Sequence, residues 1–199
     1  MTVGLSMFNC RSQVPSDLTS DRFFIPPENL NSQESLNQIS KWTKESEMKL
    51  NPEKTKYMIF NFCKSSQFQT RLHLENTMVE QVHQTKLLGV LISDDLSWHA
   101  NTACIVNKAY ARMSILRKLF EFNLNLKDLL QIYMLYIRSV VEQSCVVWGS
   151  SITKEESDKI ERIQKVALRL IFKEKYICYE NALQLSMLPT LVERRAQLS

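Results

Sequence analysis

Only three glycines occur in 199 residues. That scarcity removes whole classes of fold. Tight two-residue hairpins and phosphate-cradling loops both depend on glycine at positive φ, so a turn-rich all-β protein and a glycine-rich nucleotide loop are disfavoured. The remaining pattern is mixed. Apolar runs of strand length fall between residues 57 and 92, and long helical periodicities follow from about residue 98. We therefore expect an α+β chain: an irregular lead-in over 1–30, a small sheet with a covering helix over 31–97, and an all-helical region over 98–199.

In order, Asn31 and Ser32 offer helix caps, with Glu34 in the first turn and Leu36, Ile39 and Trp42 at helical spacing, predicting a helix over Ser32–Met48. Leu50-Asn51-Pro52 ends it. Tyr57–Phe62 reads as a strand and Cys63–Gln69 as a polar loop. Arg71–Leu74 and Met78–Val82 read as a hairpin turning at Glu75-Asn76-Thr77. Leu87–Ile92 reads as one strand buried on both faces. The sheet is expected to have an open edge, which predicts either marginal stability or association through that edge.

Helices are predicted over Trp98–Phe120, Leu126–Ser144 and Thr153–Lys173. Asn125 caps the second, which is apolar on most of its circumference and so is expected at the centre of the bundle. Val146-Val147-Trp148-Gly149 is expected to be a short extended plug. Asn181–Met187 forms a short helix and Thr190 starts another. The longest apolar stretch, Leu129–Val141, is too short for a bilayer and is interrupted by Arg138, so no membrane segment is expected.

Charge is unevenly placed. Residues 1–100 carry 10 Lys/Arg against 11 Asp/Glu, and residues 101–199 carry 15 against 10. The basic excess is in the helical half. The five cysteines have no paired spacing, which argues against a disulfide framework or zinc knuckle and suits a reducing, intracellular setting (cytoplasm or nucleus). Cys104 and Cys145 fall in apolar helical patterns and are expected in the core.

Few residues suggest chemistry. Asp94-Asp95 after an apolar run has the look of a metal-binding pair, but a two-metal site needs a further carboxylate from another strand, and none is placed for it; a turn is the expected role. His73, His83 and His99 are dispersed, and His73 and His83 could approach each other across the hairpin. Lys54 lies between a proline and a strand, either as a solvated turn lysine or as a cation aimed at a phosphate. Arg162, Lys165, Arg169 and Lys173 recur at intervals of 3, 4 and 4, within about 80° of one another on a helix. Ile160, Ile163, Ala167, Leu170 and Ile171 take the opposite arc. Such a stripe is either a solvated face or a track for a phosphate backbone.

The ordered series is specific where its parts are not: Leu50-Asn51-Pro52-Glu53-Lys54-Thr55, a strand and hairpin, Leu87-Leu88-Gly89-Val90, Ser93-Asp94-Asp95-Leu96-Ser97-Trp98, then Tyr136-Ile137-Arg138-Ser139-Val140-Val141-Glu142 and Val147-Trp148. Over residues 31–199 it resembles the C-terminal half of the reverse transcriptases of non-LTR (LINE-type) retrotransposons. The resemblance implies the end of a palm followed by a thumb. It puts Lys54 near the incoming nucleotide's phosphates, Leu88 and Gly89 in the primer grip, Asp94-Asp95 at the palm–thumb turn, and the later helices against an RNA/DNA template–primer. Family members perform RNA-directed DNA synthesis with Mg²⁺ on carboxylates of a Tyr-x-Asp-Asp strand. Residues 1–30 hold no such motif. The expectation is a truncated, inactive polymerase fragment with no cofactor of its own. The alternative is a non-catalytic helical interaction module, or a pseudogene product with no selected role.

Overall fold

A computed structural model describes residues 6–9, 32–61, 71–122 and 124–198. The expected loop at 63–69, the turn residue Asn123 and most of the 1–30 lead-in lie outside these. The chain divides into two compact units, residues 1–96 and 97–199. The first combines one helix with short strands and the second is helical, so the architecture is α+β as expected.

In the first unit, β1 (Ser6–Asn9) falls in the stretch expected to be irregular. It pairs in parallel with β2 (Lys56–Asn61), which also pairs in parallel with β5 (Glu80–Gln81). The helix α1 (Ser32–Glu45) contributes Leu36 to a core with Tyr57, Leu72, Leu74 and Val79. Trp42, expected on that face, is exposed, and Thr43 is buried instead. The side-chain amide of Gln33 clamps the following strand pair: it donates to His73 O at 2.7 Å and accepts from His73 N at 2.8 Å. The His73 backbone is thus held by α1, and among the described residues no hydrogen bond joins His73 to His83.

The expected hairpin is shorter than its pattern. β3 (His73–Leu74) and β4 (Thr77–Met78) are antiparallel, with one further bond from Val79 N to Leu72 O at 2.8 Å. After Val79 the strand changes partner, because Glu80 and Gln81 face Lys56 and Tyr57.

Leu87–Ile92 is not a single buried strand. β6 (Gln84–Leu87) and β7 (Val90–Ser93) form an antiparallel pair, with Leu88 and Gly89 as the two-residue tip. Both tip residues have positive φ, 48° and 93°, the sense that matches strand twist in a tight hairpin. Gly89 adopts it freely; Leu88 does so at a cost and stands 90 % exposed.

The second unit is built around α6 (Lys154–Phe172). It packs against α2 (His99–Leu119), α3 (Leu126–Ile132), α7 (Tyr179–Ser186) and α8 (Leu191–Leu198). Ile160, Ile163, Ala167 and Leu168 of α6 are fully enclosed, as are Ala109, Met113 and Leu116 of α2. The central position expected for the Leu126–Ser144 helix therefore belongs to α6.

The 126–144 segment is itself divided. Asn125 caps α3 as expected, its side chain accepting from Asp128 N at 2.9 Å. A π-helical turn then spans Tyr133–Arg138, before α4 (Ser139–Glu142). A π turn displaces backbone carbonyls from their usual partners. Two of these find side chains: Leu135 O accepts from Ser139 Oγ at 2.7 Å, and Tyr136 O from Arg112 Nη1 at 2.7 Å. The turn keeps Tyr133 and Ile137 enclosed while Met134, Leu135 and Tyr136 are exposed.

Nor is the next stretch an extended plug. It is a one-turn helix, α5 (Cys145–Trp148), entered through Ser144 in the left-handed conformation. Cys145 and Trp148 are buried and Val146 and Val147 are exposed, a helical alternation and not a strand one. The Trp148 indole donates to Gln143 O at 3.1 Å. Gly149 follows because a Cβ there would lie 2.5 Å from Cys145 O. Cys145 is in the core as expected, whereas Cys104 is only partly buried.

The start of α6 shows why this helix is so well defined. Thr153 N and Oγ1 donate to Glu156 Oε2 at 2.7 and 2.9 Å, and Glu156 N returns a bond to Thr153 Oγ1 at 3.3 Å. This is a capping box. Burial, the largest influence on Glu156, raises its pKa, but the Thr153 bonds and His99 at 2.7 Å outweigh it and hold the carboxyl below its usual range. A depressed carboxylate stabilises the fold above its unfolded pKa, about 4.3, and that contribution is lost as pH falls through the folded value. Thr153→Ala is expected to cost about 1 kcal/mol at neutral pH. In urea titrations the gap from the unaltered chain should narrow on acidification; an equal gap at pH 7 and at about pH 3 would show that the carboxylate has no part in it.

Candidate nucleic-acid interface

The amphipathic period of α6 turns its apolar arc inward and leaves Arg162, Lys165 and Arg169 exposed along one side. Arg162 and Arg169 have no ion pair among the described residues. Lys165 Nζ sits 5.0 Å from the centre of the Tyr179 ring, a cation–π contact that steadies the lysine without neutralising it. Lys159, one turn earlier, differs: Glu155 holds it at 2.7 Å. Lys173, the fourth residue of the expected stripe, is past the end of the helix. It is the C-cap, with φ 46°, and opens a 3₁₀ turn over Lys173–Lys175. It is exposed beside the stripe's end but does not continue its helical register.

Beneath the stripe lies a buried polar network. Gln164 is fully enclosed. Its carbonyl oxygen accepts from Tyr133 OH at 2.8 Å, and its amide donates to Tyr179 OH at 3.0 Å and Pro189 O at 2.9 Å. Tyr179 OH in turn donates to Glu161 Oε1, which also accepts from Leu191 N at 3.3 Å. Burial pushes both phenols well above their ordinary pKa, with Glu161 reinforcing the shift at Tyr179, so both remain protonated donors. The network joins the π turn, α6, α7 and α8, and so fixes the ring on which Lys165 rests. Its members come from four elements, and no local spacing could have assembled them. The Arg138–Glu142 pair, by contrast, had a readable signal at i, i+4. Glu142 Oε1 accepts from Arg138 Nε at 2.6 Å and from Arg194 Nε at 3.3 Å. Both arginines line an open groove of about 860 Å³.

Of the residues singled out in the first unit, His83 and Asp94 come together, whereas Lys54 and the Leu88–Gly89 pair lie on different elements. Lys54 is exposed in the turn before β2. Asn51 organises that turn: its Oδ1 accepts from Glu53 N at 3.0 Å and Lys54 N at 3.3 Å, and its carbonyl from Thr55 Oγ1 at 2.8 Å. Leu88 and Gly89 form the β6–β7 tip. No hydrogen bond or ion pair joins Lys54 to that tip among the described residues.

Asp94 sits at the base of the hairpin, its Oδ2 2.6 Å from His83 Nδ1 and its N–H donating to His83 O at 2.9 Å. It is engaged as a turn residue. No group of three or more His, Cys, Asp or Glu side chains converges among the described residues. Among the described residues, then, no donor set matches the two-metal centre of nucleotidyl transfer.

Comparison with known proteins agrees with the resemblance read from the motifs. Over 141 residues the chain is 26 % identical to the probable RNA-directed DNA polymerase from transposon BS of Drosophila melanogaster. The match covers 70 % of this chain but only 16 % of that protein. No family model matches the chain, and no solved structure does.

Proposed function

We propose that this chain is a portion of a reverse transcriptase of the non-LTR retrotransposon type, and that its helical unit acts as a thumb. In this reading Arg162, Lys165 and Arg169, with Lys173 beyond them, contact the phosphate backbone of a template–primer. The observation that carries it is the exposed cationic side of α6 in a chain that resembles a transposon polymerase. Residues 31–97 are then the end of the palm. Lys54 would serve the incoming nucleotide's phosphates, and the Leu88–Gly89 tip the primer, when the catalytic carboxylates are supplied. The 199 residues contain no Tyr-x-Asp-Asp, so the chain alone should extend no primer.

Two measurements test this. Binding of the full chain to an RNA–DNA duplex should weaken linearly in log K against log salt, with a slope of about −3.6 for four phosphate contacts. Absence of binding at the lowest salt sinks the thumb reading. It favours the second reading, a helical protein-interaction module, for which the open groove of about 860 Å³ is the supporting feature. Separately, primer extension with Mg²⁺ or Mn²⁺ should not exceed a no-protein control. Template-dependent product above that control overturns the inactivity.

A further inference from the structure

The cationic side of α6 ends at a hollow. Ile171 and Phe172, the last residues of α6, form apolar walls with Leu124, just before α3, and Leu126 and Leu129 of α3, and Lys173, Glu174 and Lys175 complete the lining. Its volume is about 430 Å³, within the ~300–1,000 Å³ range of small-ligand sites. Ile171, Phe172 and Leu129 are buried and Leu124 is half-buried, whereas Leu126 is 38 % exposed and offers the most accessible apolar surface. All three residues of the 3₁₀ turn are exposed, so two lysines and one glutamate contribute to the lining.

The hollow thus combines an apolar part with a lining that carries an excess of one positive charge. It lies one helical turn beyond Arg169, the last cation of the stripe. The distance along the axis from Arg162 to Lys173, 11 residues, is about 16 Å at 1.5 Å per residue, enough for several phosphates of one strand.

From this arrangement we infer that the hollow takes one unpaired nucleotide of the strand that the stripe holds. The base would rest against Leu126, and the phosphate would face Lys173 and Lys175. A nucleotide suits both features, since every base has an apolar face and every link to the next carries an anion. A purely apolar ligand would leave the lysines unused, and a bare phosphate would leave the walls unused. The inference rests on the stripe contacting nucleic acid, and it adds a preference for a strand end over a continuous duplex.

The test is fluorescence polarisation with the full 199-residue chain and three labelled RNA–DNA duplexes: blunt, with a two-nucleotide 5′ overhang, and with a two-nucleotide 3′ overhang. One overhang should bind about fivefold more tightly than the blunt form, the effect of burying the equivalent of one or two methylenes. Leu126→Asp should abolish that advantage and leave blunt-duplex affinity unchanged. Aspartate at the first residue of a helix is favoured by the helix dipole, so the variant should fold, and circular dichroism checks this. Lys175→Glu should reduce the same advantage by a second route. Equal binding of blunt and overhanging duplexes overturns the inference while leaving the stripe intact. So does an overhang advantage that survives both substitutions. Failure of every duplex to bind overturns the stripe reading and this inference together. A free mononucleotide at matched concentration should not compete; effective competition would reassign the hollow to a soluble nucleotide and overturn the strand-end assignment.

Discussion

Alanine at Arg162, Lys165 and Arg169 together is expected to lower RNA–DNA duplex affinity by about ten- to a hundredfold at low salt, and to make the salt slope shallower by about 2 to 3. The size follows from counterion release: each phosphate neutralised by a cation contributes about 0.9 to the slope, and the triple variant removes three. Net charge alone would give a similar direction, so a control is needed. Lys159 lies on the same helix but is held by Glu155 at 2.7 Å. Lys159→Ala removes one formal charge and should leave the slope nearly unchanged. If Lys159→Ala and Arg162→Ala weaken binding equally, the stripe has no special role and the effect is bulk electrostatics. Lys165→Ala carries a second consequence, because it uncovers the Tyr179 ring. That change should still leave the thermal midpoint close to that of the unaltered chain, since an exposed cation–π contact is worth about 0.5–1 kcal/mol.

The parts of the fold that could be read from the sequence are those whose causes are local. α6 was legible because its signals agree: Thr153 and Glu156 at capping-box spacing, acids in the first turn, and one apolar arc of period 3.6. Asn125 was legible for the same reason. The misreadings fall where local pattern is ambiguous or a distant partner decides. Leu87–Ile92 is six apolar residues with no period, so a buried strand and a hairpin with a Leu-Gly tip read alike. Val146-Val147 favours an extended chain by residue type, yet the buried positions are Cys145 and Trp148, three apart, and that spacing sets a helix. In the π turn over Tyr133–Arg138 the Tyr136 carbonyl accepts from Arg112, twenty-four residues earlier in the chain. Nothing within residues 126–144 announces it.

The interface shows the same division. Arg162, Lys165 and Arg169 share one exposed face of α6, which periodicity alone could place because a solvated helix face needs no partner to define it. Lys173 was assigned to the same face only because the helix was carried one residue too far; its positive φ ends the register there. The Tyr179 ring beneath Lys165 belongs to another helix and was invisible to spacing. The acidic pair at 94–95 could be assigned to a turn from sequence, but its partner His83 could not be named until the β6–β7 register brought the two together.

Gln164→Leu should be the most damaging conservative substitution in the helical unit, lowering its stability by about 3–5 kcal/mol. Leucine nearly matches the volume of glutamine, so no cavity is made, and the loss is in hydrogen bonding. The substitution removes the acceptor of Tyr133 OH and the donor to Tyr179 OH and Pro189 O, all in a part of the fold where Gln164 is fully enclosed. A buried polar group left unpaired costs about 1–3 kcal/mol. Tyr179 OH keeps Glu161 as its acceptor, so the cost falls mainly on Tyr133 OH and Pro189 O. Adding Tyr133→Phe removes one of these orphans. The double variant Tyr133→Phe/Gln164→Leu should therefore be more stable than Gln164→Leu alone, by about 1 kcal/mol or more, even though it carries one more change. Additive losses in chemical denaturation would show that the two side chains do not act through the bond between them. Because the network also holds Tyr179 in place, Gln164→Leu should reduce duplex affinity less than the triple stripe variant does, and through Lys165 alone. Its salt slope should then change by no more than about one. A fall in slope matching that of the triple variant would mean that the whole cationic side of α6, and not one lysine, depends on the buried amide.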